Sequence, residues 1–190
     1  MSGAALPQAP QAPQAQPASA ELPLAERPEG FRRVSQALAE RGHPHAPRWL
    51  EVPARTCAEA AQALGVATGQ IAKSVIFRRL ADERAVLVVA SGDRRVDTAK
   101  VAAQVGPVGR ADAAFVKART GFSIGGVAPL AHAQAPVVLI DRDLFRFDLV
   151  WAAAGHPNGV FCLAPAELLA LTGAPAADVA EGAEQAEGTP

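Results

Sequence analysis

The stretch from Thr120 to Pro129 carries the most distinctive candidate chemistry in this chain. It reads Thr-Gly-Phe-Ser-Ile-Gly-Gly-Val-Ala-Pro, with three glycines and one proline in ten residues. Glycine adopts backbone conformations closed to other residues and lets the main chain approach a ligand without a Cβ in between. The N–H groups around Gly125 and Gly126 could therefore face an anion or a polarised carbonyl group. A tight structural turn would use the same residue types, so the stretch alone leaves both interpretations open.

Basic side chains supply a second kind of candidate chemistry. Lys73 stands just before an apolar run, Val75 to Phe77. A lysine in that position lies either at a sheet edge or at the mouth of a pocket. Arg94 and Arg95 lie in a polar connection after another apolar run. They could contact phosphate or be the solvated arginines of an ordinary turn.

Metal binding and catalysis by a side-chain triad are not expected. The four histidines form no His-Glu-x-x-His pattern, and Cys57 and Cys162 form no Cys-x-x-Cys pair. Two cysteines are too few for a disulfide framework, so we expect two reduced thiols. Ser91 and Ser123 lack the strand–turn–helix surroundings of a nucleophile elbow. We therefore expect no metal and no cofactor.

The composition predicts one globular domain between two polar tails. Apolar residues make up 49% of the chain and charged residues 19%, with no run long enough to span a membrane. The N-terminus lacks a secretory-signal pattern, so we expect a cytoplasmic protein. Two segments have little apolar surface to bury: residues 1–29, rich in Pro, Ala and Gln, and the acidic residues 174–190. We therefore predict that both are disordered and that residues 30–173 form the domain. The excess of basic residues within that domain is compatible with a phosphate-bearing partner.

Apolar periodicity and capping signals predict alternating helices and strands. Thr56 and Glu59 form a capping-box pattern, and Asp97 and Asp112 are suited to cap two further helices. The predicted helices cover residues 31–41, 57–64, 98–105, 113–119 and 165–172, and the predicted strands 74–80, 85–91, 137–140, 150–154 and 159–163. This pattern predicts a mixed α/β (α+β) fold, a single domain with a mixed, largely antiparallel sheet flanked by helices.

Five motifs in a fixed order carry a resemblance to a known family. They are Gln-Ile-Ala-Lys-Ser at 70–74, Val-Val-Ala-Ser-Gly-Asp-Arg-Arg-Val-Asp at 88–97, the glycine-rich stretch at 120–129, Ala-Ala-Gly-His-Pro at 153–157 and Leu-Ala-Pro-Ala-Glu-Leu at 163–168. With these motifs the chain resembles the YbaK/EbsC-like aminoacyl-tRNA deacylases, which are related to the editing domain of bacterial prolyl-tRNA synthetases. The resemblance covers nearly all of 31–173 and neither tail.

The resemblance implies a free-standing trans-editing protein that hydrolyses a wrong amino acid from the 3′ end of a transfer RNA. The family's lysine corresponds to Lys73 and its glycine-x-x-x-proline loop to 125–129, which gives Lys73, Gly125 and Gly126 as catalytic residues. The residues expected to bind substrate are Ser74, Phe122, Ser123, Val127, Pro129, His45, Gly155 and His156. In this family the substrate's own hydroxyl groups are thought to assist the attacking water. The expected partners are a mischarged tRNA and, as a further candidate, an aminoacyl-tRNA synthetase; we also expect a monomer.

The amino acid and two rival functions stay open at this point. The branch acting on cysteinyl-tRNA has serine and aspartate where this chain has Ala153 and Val160, and an alanyl-directed branch has asparagine in place of Ser74. We therefore expect a small or medium acyl group carried by tRNA-Pro. A noncatalytic tRNA- or synthetase-binding module of the same fold, or a pocket protein that hydrolyses small esters, would also fit the sequence.

Overall fold

One eight-stranded mixed sheet organises residues 22–182, which are the residues described by this computed structural model. Its strands are β1 (Arg48–Trp49), β2 (Ile71–Arg79), β3 (Ala85–Ser91), β4 (Val108–Arg110), β5 (Val137–Asp141), β6 (Val150–Ala153), β7 (Gly159–Leu163) and β8 (Ala176–Ala177). Their order is β1-β7-β6-β2-β3-β5-β8, and β4 pairs with β2 beside this path. Pairs β2–β6, β3–β5 and β5–β8 are parallel and the other four are antiparallel, so the predicted sheet type is confirmed.

The helices are α1 (Glu29–Glu40), α2 (Cys57–Leu64), α3 (Thr98–Val105), α4 (Ala113–Thr120) and α5 (Pro165–Thr172). Three of the five helices in the described part of the chain begin at the capping residues that the sequence indicated, whereas α1 begins two residues before its predicted start. Thr56 and Glu59 form a reciprocal capping box at α2, because each side chain accepts a hydrogen bond from the other's backbone N–H. Asp97 and Asp112 cap α3 and α4 through their carboxylates. Within residues 22–182, no helix is long and apolar enough to cross a membrane.

The sheet separates two apolar layers. β3 is an interior strand between β2 and β5, and all seven of its residues are buried. On one face, Leu87 and Val89 pack in the main core with α1, the 122–130 segment and α5. On the other face, Val86 and Val88 pack in a smaller cluster with Val101 of α3. Because successive strand residues point to opposite faces, the two layers follow directly from an uninterrupted apolar strand.

The predicted end of the folded domain at residue 173 is too early. β8 pairs with β5 after that point, and Ala177, Val179 and Ala180 are buried. The acidic residues of this segment predicted a disordered tail. The apolar side chains of Ala177 and Val179, however, pack in the smaller core. At the other end, α1 begins at Glu29 and the preceding Arg27 is buried as well. The rest of the predicted tails, residues 1–21 and 183–190, lies outside the described residues.

Candidate active site

A cavity of about 250 Å³ opens where β2 lacks a neighbouring strand. One side of β2 pairs with β3 over most of its length. The other side pairs with β6 only at Ile71 and Ala72, and with β4 only from Phe77 to Arg79. Among the described residues, positions 73–76 therefore have no strand partner on this side. The gap in the sheet lets Lys73 and Ser74 line the same cavity.

Lys73 is held at the cavity by one backbone contact. Its Nζ donates a hydrogen bond to the carbonyl oxygen of Arg94, in the connection between β3 and α3. The connection starts from a fixed point, because the hydroxyl of Ser91, the last residue of β3, donates to the carbonyl of Gly69 at 2.6 Å. A lysine ammonium has three donors, so this contact leaves two for a ligand. Lys73 is therefore a positioned cation with donors to spare.

The glycine-rich loop forms the opposite wall with its backbone. Gly125 lines the cavity at a φ of +87°, a conformation that side chains other than glycine's rarely adopt. The N–H of Gly126 donates to the carbonyl of Ser123 at 3.0 Å and closes a tight turn. The N–H of Gly125 has no acceptor in the part of the chain that the structure describes. The loop therefore offers the Gly125 N–H to a ligand, whereas that of Gly126 is already used.

A second turn, residues 155–159, supports the glycine-rich loop from behind. A Cβ on Gly126 would lie 2.7 Å from the Cα of His156, so only glycine fits at this contact. The imidazole of His156 stacks on Trp49 with ring centroids 4.8 Å apart, and its Nδ1 accepts a hydrogen bond from the N–H of Asn158 at 3.2 Å. Burial lowers the pKa of His156, which favours the neutral ring that this bond requires. His156 is thus a support of the loop.

The remaining walls are apolar, and most of their residues are small. Ala72, Ala152, Ala153, Gly159, Val160, Trp151 and Pro157 line the cavity. The cavity-lining residues include no aspartate, glutamate or histidine among those described. Burial raises the pKa of the Cys57 thiol at the wall, although the nearby charge of Lys73 opposes the effect. A neutral thiol is a poor base and a poor nucleophile, so the cavity has no side-chain base.

Sequence comparison identifies the family. A family model described as the aminoacyl-tRNA editing domain matches residues 51–171. The chain belongs to the aminoacyl-tRNA editing domain family. YwhH of Bacillus subtilis strain 168, described as an uncharacterized protein, is 38% identical to this editing domain over 120 residues, which are 63% of this chain and 76% of that protein.

Solved structures agree with this membership. One, described as a candidate trans-editing enzyme for prolyl-tRNA synthetase, is 42% identical with a TM-score of 0.77 and covers 83% of this chain and 100% of its own. Another, of the hypothetical protein APE2540, is 35% identical with a TM-score of 0.73 and covers 78% of this chain and 99% of its own. The predicted resemblance and the YbaK-like editing fold are confirmed.

The fold of the editing domain brings four of the eleven predicted catalytic and binding positions to the cavity: Lys73, Ser74, Gly125 and Val127 line it. Gly126 and His156 meet directly behind the glycine-rich loop, and Gly155 packs against Gly30 and Phe122. Phe122 and Pro129 are buried in the core, and Ser123 lies on the exposed turn.

His45, which the family resemblance placed among the substrate-binding residues, does not line this cavity. It lines a different one, with its ring 5.9 Å from that of His43. The physical reason is the course of the 43–47 link, which runs beside α1 before β1 joins the sheet.

Several cavity residues were missed by sequence reasoning. Cys57 and Ala60 come from the first turns of α2, and Trp151 from β6. Ser74 also has a feature that the sequence could not show, since its hydroxyl oxygen is buried without a hydrogen-bond partner. The capping box located α2, but only the fold places that helix across the gap in the sheet.

Proposed function

We propose that this protein is a free-standing trans-editing deacylase, which hydrolyses the ester of a mischarged tRNA-Pro carrying a small or medium amino acid. The observation that supports it most directly is that Lys73 and Gly125 line one cavity. A cation with free donors and an uncommitted backbone N–H suit an ester carbonyl, which becomes negatively charged as water attacks. Family membership and the likeness to a candidate prolyl-tRNA trans-editing structure support the same assignment.

In the proposed reaction, water attacks the ester carbonyl carbon and the bond to the 3′ oxygen of the terminal ribose breaks. The Gly125 N–H and the Lys73 ammonium stabilise the oxyanion. A backbone donor in this role contributes about 3 kcal/mol to the barrier. Of the two glycines, we assign the donor role to Gly125, since the Gly126 N–H is held in the turn.

The proton of the attacking water is taken up without a protein base in this proposal. Lys73, Arg55, Thr56, Cys57 and Ser74 are the polar residues of the described cavity lining, and none of them carries a carboxylate or an imidazole, the usual general bases. A hydroxyl group of the terminal ribose relays the proton to the departing 3′ oxygen. The released products are the free amino acid and the intact tRNA.

The acyl group in this proposal is small and weakly polar. Alanine and glycine at seven cavity positions leave room beside β2. Lys73 and Arg55 are the charged residues among those that line the cavity. The same proposal places the protein in the cytoplasm and in contact with a prolyl-tRNA synthetase, because that enzyme charges tRNA-Pro in the cytoplasm.

A deacylation panel tests this function. tRNA-Pro charged with alanine, serine, threonine, cysteine or 2-aminobutyrate is incubated with the protein, with prolyl-tRNA-Pro as the control. Hydrolysis of one or more mischarged species and sparing of the prolyl ester is the expected result. Tight tRNA binding without hydrolysis would replace the proposal with a noncatalytic module. Equal rates on charged tRNA and on a short aminoacyl-nucleoside would replace it with a small-ester hydrolase.

A further inference from the structure

A second cavity, of about 380 Å³, lies apart from the deacylation cavity. It is formed by α1, by the 22–27 segment and by the 43–49 segment that leads into β1. Its walls are mainly apolar, with Phe31 and Leu38 from α1 and Trp49 from β1. None of its lining residues lines the cavity around Lys73. It is therefore a separate concave surface with a composition typical of small-molecule sites.

Arg27 is the unusual member of this second cavity. Its exposed fraction is only 9%, yet no described residue forms a side-chain hydrogen bond or an ion pair with it. Its one described side-chain partner is Trp49, whose ring centroid lies 4.5 Å from the guanidinium carbon. Other arginines of this domain have acidic partners, such as Arg33 with Glu29 and Arg146 with Asp93. The guanidinium nitrogens of Arg27 are not among the buried, unpartnered side-chain atoms of the described residues, so the charge is accessible from the cavity that Arg27 lines. An anion entering this cavity would supply the acidic partner that Arg27 lacks.

The other polar groups of the cavity are occupied or exposed. The Ser35 hydroxyl donates to the carbonyl of Phe31 at 2.8 Å, and Nε2 of His43 lies 3.0 Å from the carbonyl of Cys162. His45 is exposed at the rim. A ligand therefore meets one available buried charge, that of Arg27, in otherwise apolar surroundings.

We propose that this cavity binds a small organic carboxylate with an apolar body, the carboxylate on Arg27 and the body between α1 and Trp49. The guanidinium matches a carboxylate through two parallel N–H donors, while the indole ring covers one of its faces. A single buried cation favours a monoanion over a phosphate dianion. The apolar walls favour a hydrocarbon chain or ring over a free amino acid.

Octanoate is the probe for the test, titrated into the full-length protein by calorimetry. A Trp151→Phe background leaves Trp49 as the one remaining tryptophan, so its emission reports the same site optically. We expect saturable binding with one site per chain and a change in Trp49 emission. Acetate, which lacks the body, and octanol, which lacks the charge, are expected to bind at least tenfold more weakly.

Variants decide whether Arg27 is the anchor. Arg27→Met keeps the apolar stem and removes the charge, and we expect it to weaken octanoate binding by about 10- to 100-fold. Arg32→Met, at an exposed position of α1, is the matched control and is expected to bind like the parent protein. Ala39→Phe, on the exposed edge of the cavity, is expected to fill it and abolish binding while α1 stays intact.

Two results would overturn this proposal. One is the absence of saturable octanoate binding up to millimolar concentration in the parent protein. The other is unchanged affinity in Arg27→Met or, should that variant not fold, in Ala39→Phe. Neither result bears on deacylation, because ester hydrolysis is measured separately, on the parent protein with Trp151 intact.

Discussion

Gly126 and His156 meet backbone to backbone, with a Cβ on the glycine falling 2.7 Å from the histidine Cα. This contact joins the glycine-rich loop to the 155–159 turn. Trp49 stacks on the other side, against the His156 ring. The uncommitted N–H of Gly125 is therefore held by a chain of rigid contacts that reaches β1. Such support keeps a donor in place without reorganisation during a reaction.

Gly126→Ala should destabilise the fold through this contact. The added methyl group meets backbone atoms, which cannot move aside, and overpacking of this kind costs about 2 kcal/mol. The measurement is the free energy of unfolding by urea denaturation. Gly125→Ala is the comparison. Its Cβ would lie 3.8 Å from the nearest atom, Cγ of Pro157, so the methyl group meets no clash. The one cost is the backbone strain of an alanine at a φ of +87°, about 1 kcal/mol. If Gly126→Ala and the parent protein had equal free energies of unfolding, the close contact between Gly126 and the His156 backbone would be contradicted.

Gly125→Ala should reduce deacylation more than its effect on stability explains. The methyl group would stand at the cavity wall, where the proposed ester approaches the N–H. We expect kcat to fall at least tenfold at a temperature where the variant is fully folded by circular dichroism. Full activity would instead indicate that the loop is only a structural turn.

Lys73→Ala should abolish deacylation and keep the fold. Lys73 lies where β2 has a strand partner on one side only, so its removal takes a charge from the cavity and little packing from the core. We expect kcat to fall at least about 100-fold, the scale of losing an electrostatic partner of the transition state. Lys117→Ala is the matched control, because Lys117 also donates to a backbone carbonyl, that of Gly121 at 3.0 Å, but outside the cavity. Equal activity of the two variants would remove Lys73 from the mechanism.

His132 should make the fold less stable in acid. Burial lowers the pKa of His132 to about 4, below its ordinary value of 6.5. The unfolded chain therefore binds this proton more readily, so stability falls as the pH drops from about 6.5 towards 4. The loss reaches about 3 kcal/mol at most. Unfolding free energies measured across this range should decline less steeply in His132→Gln than in the exposed-site control His45→Gln; parallel slopes would contradict the assignment.

Val179→Ala should show that the domain extends past residue 173. This side chain is completely buried in the smaller core, and removing two methyl groups there costs about 2 kcal/mol. The exposed-site variant Glu181→Gln should unfold like the parent protein. If Val179→Ala had the same free energy of unfolding as the parent protein, the domain would instead end at residue 173, as the sequence predicted.

Most elements of the fold could be predicted from the sequence. The capping box at Thr56, the caps at Asp97 and Asp112, and the apolar run of β3 act over a few residues, and the structure confirms each of them. The strands that escaped prediction, β1, β4 and β8, have two or three residues each. Such short runs have no periodicity, and their pairing depends on partners far away in the chain.

The sequence by itself determined the element types, the family motifs and the residues that could do chemistry, because these depend on local spacing and residue type. Only the tertiary structure decided which of them meet. It places Lys73 at a gap between β6 and β4, commits the Gly126 N–H to a turn, and moves His45 to another cavity. These outcomes depend on which strands pair and where that pairing stops, and long-range packing of the whole chain sets both.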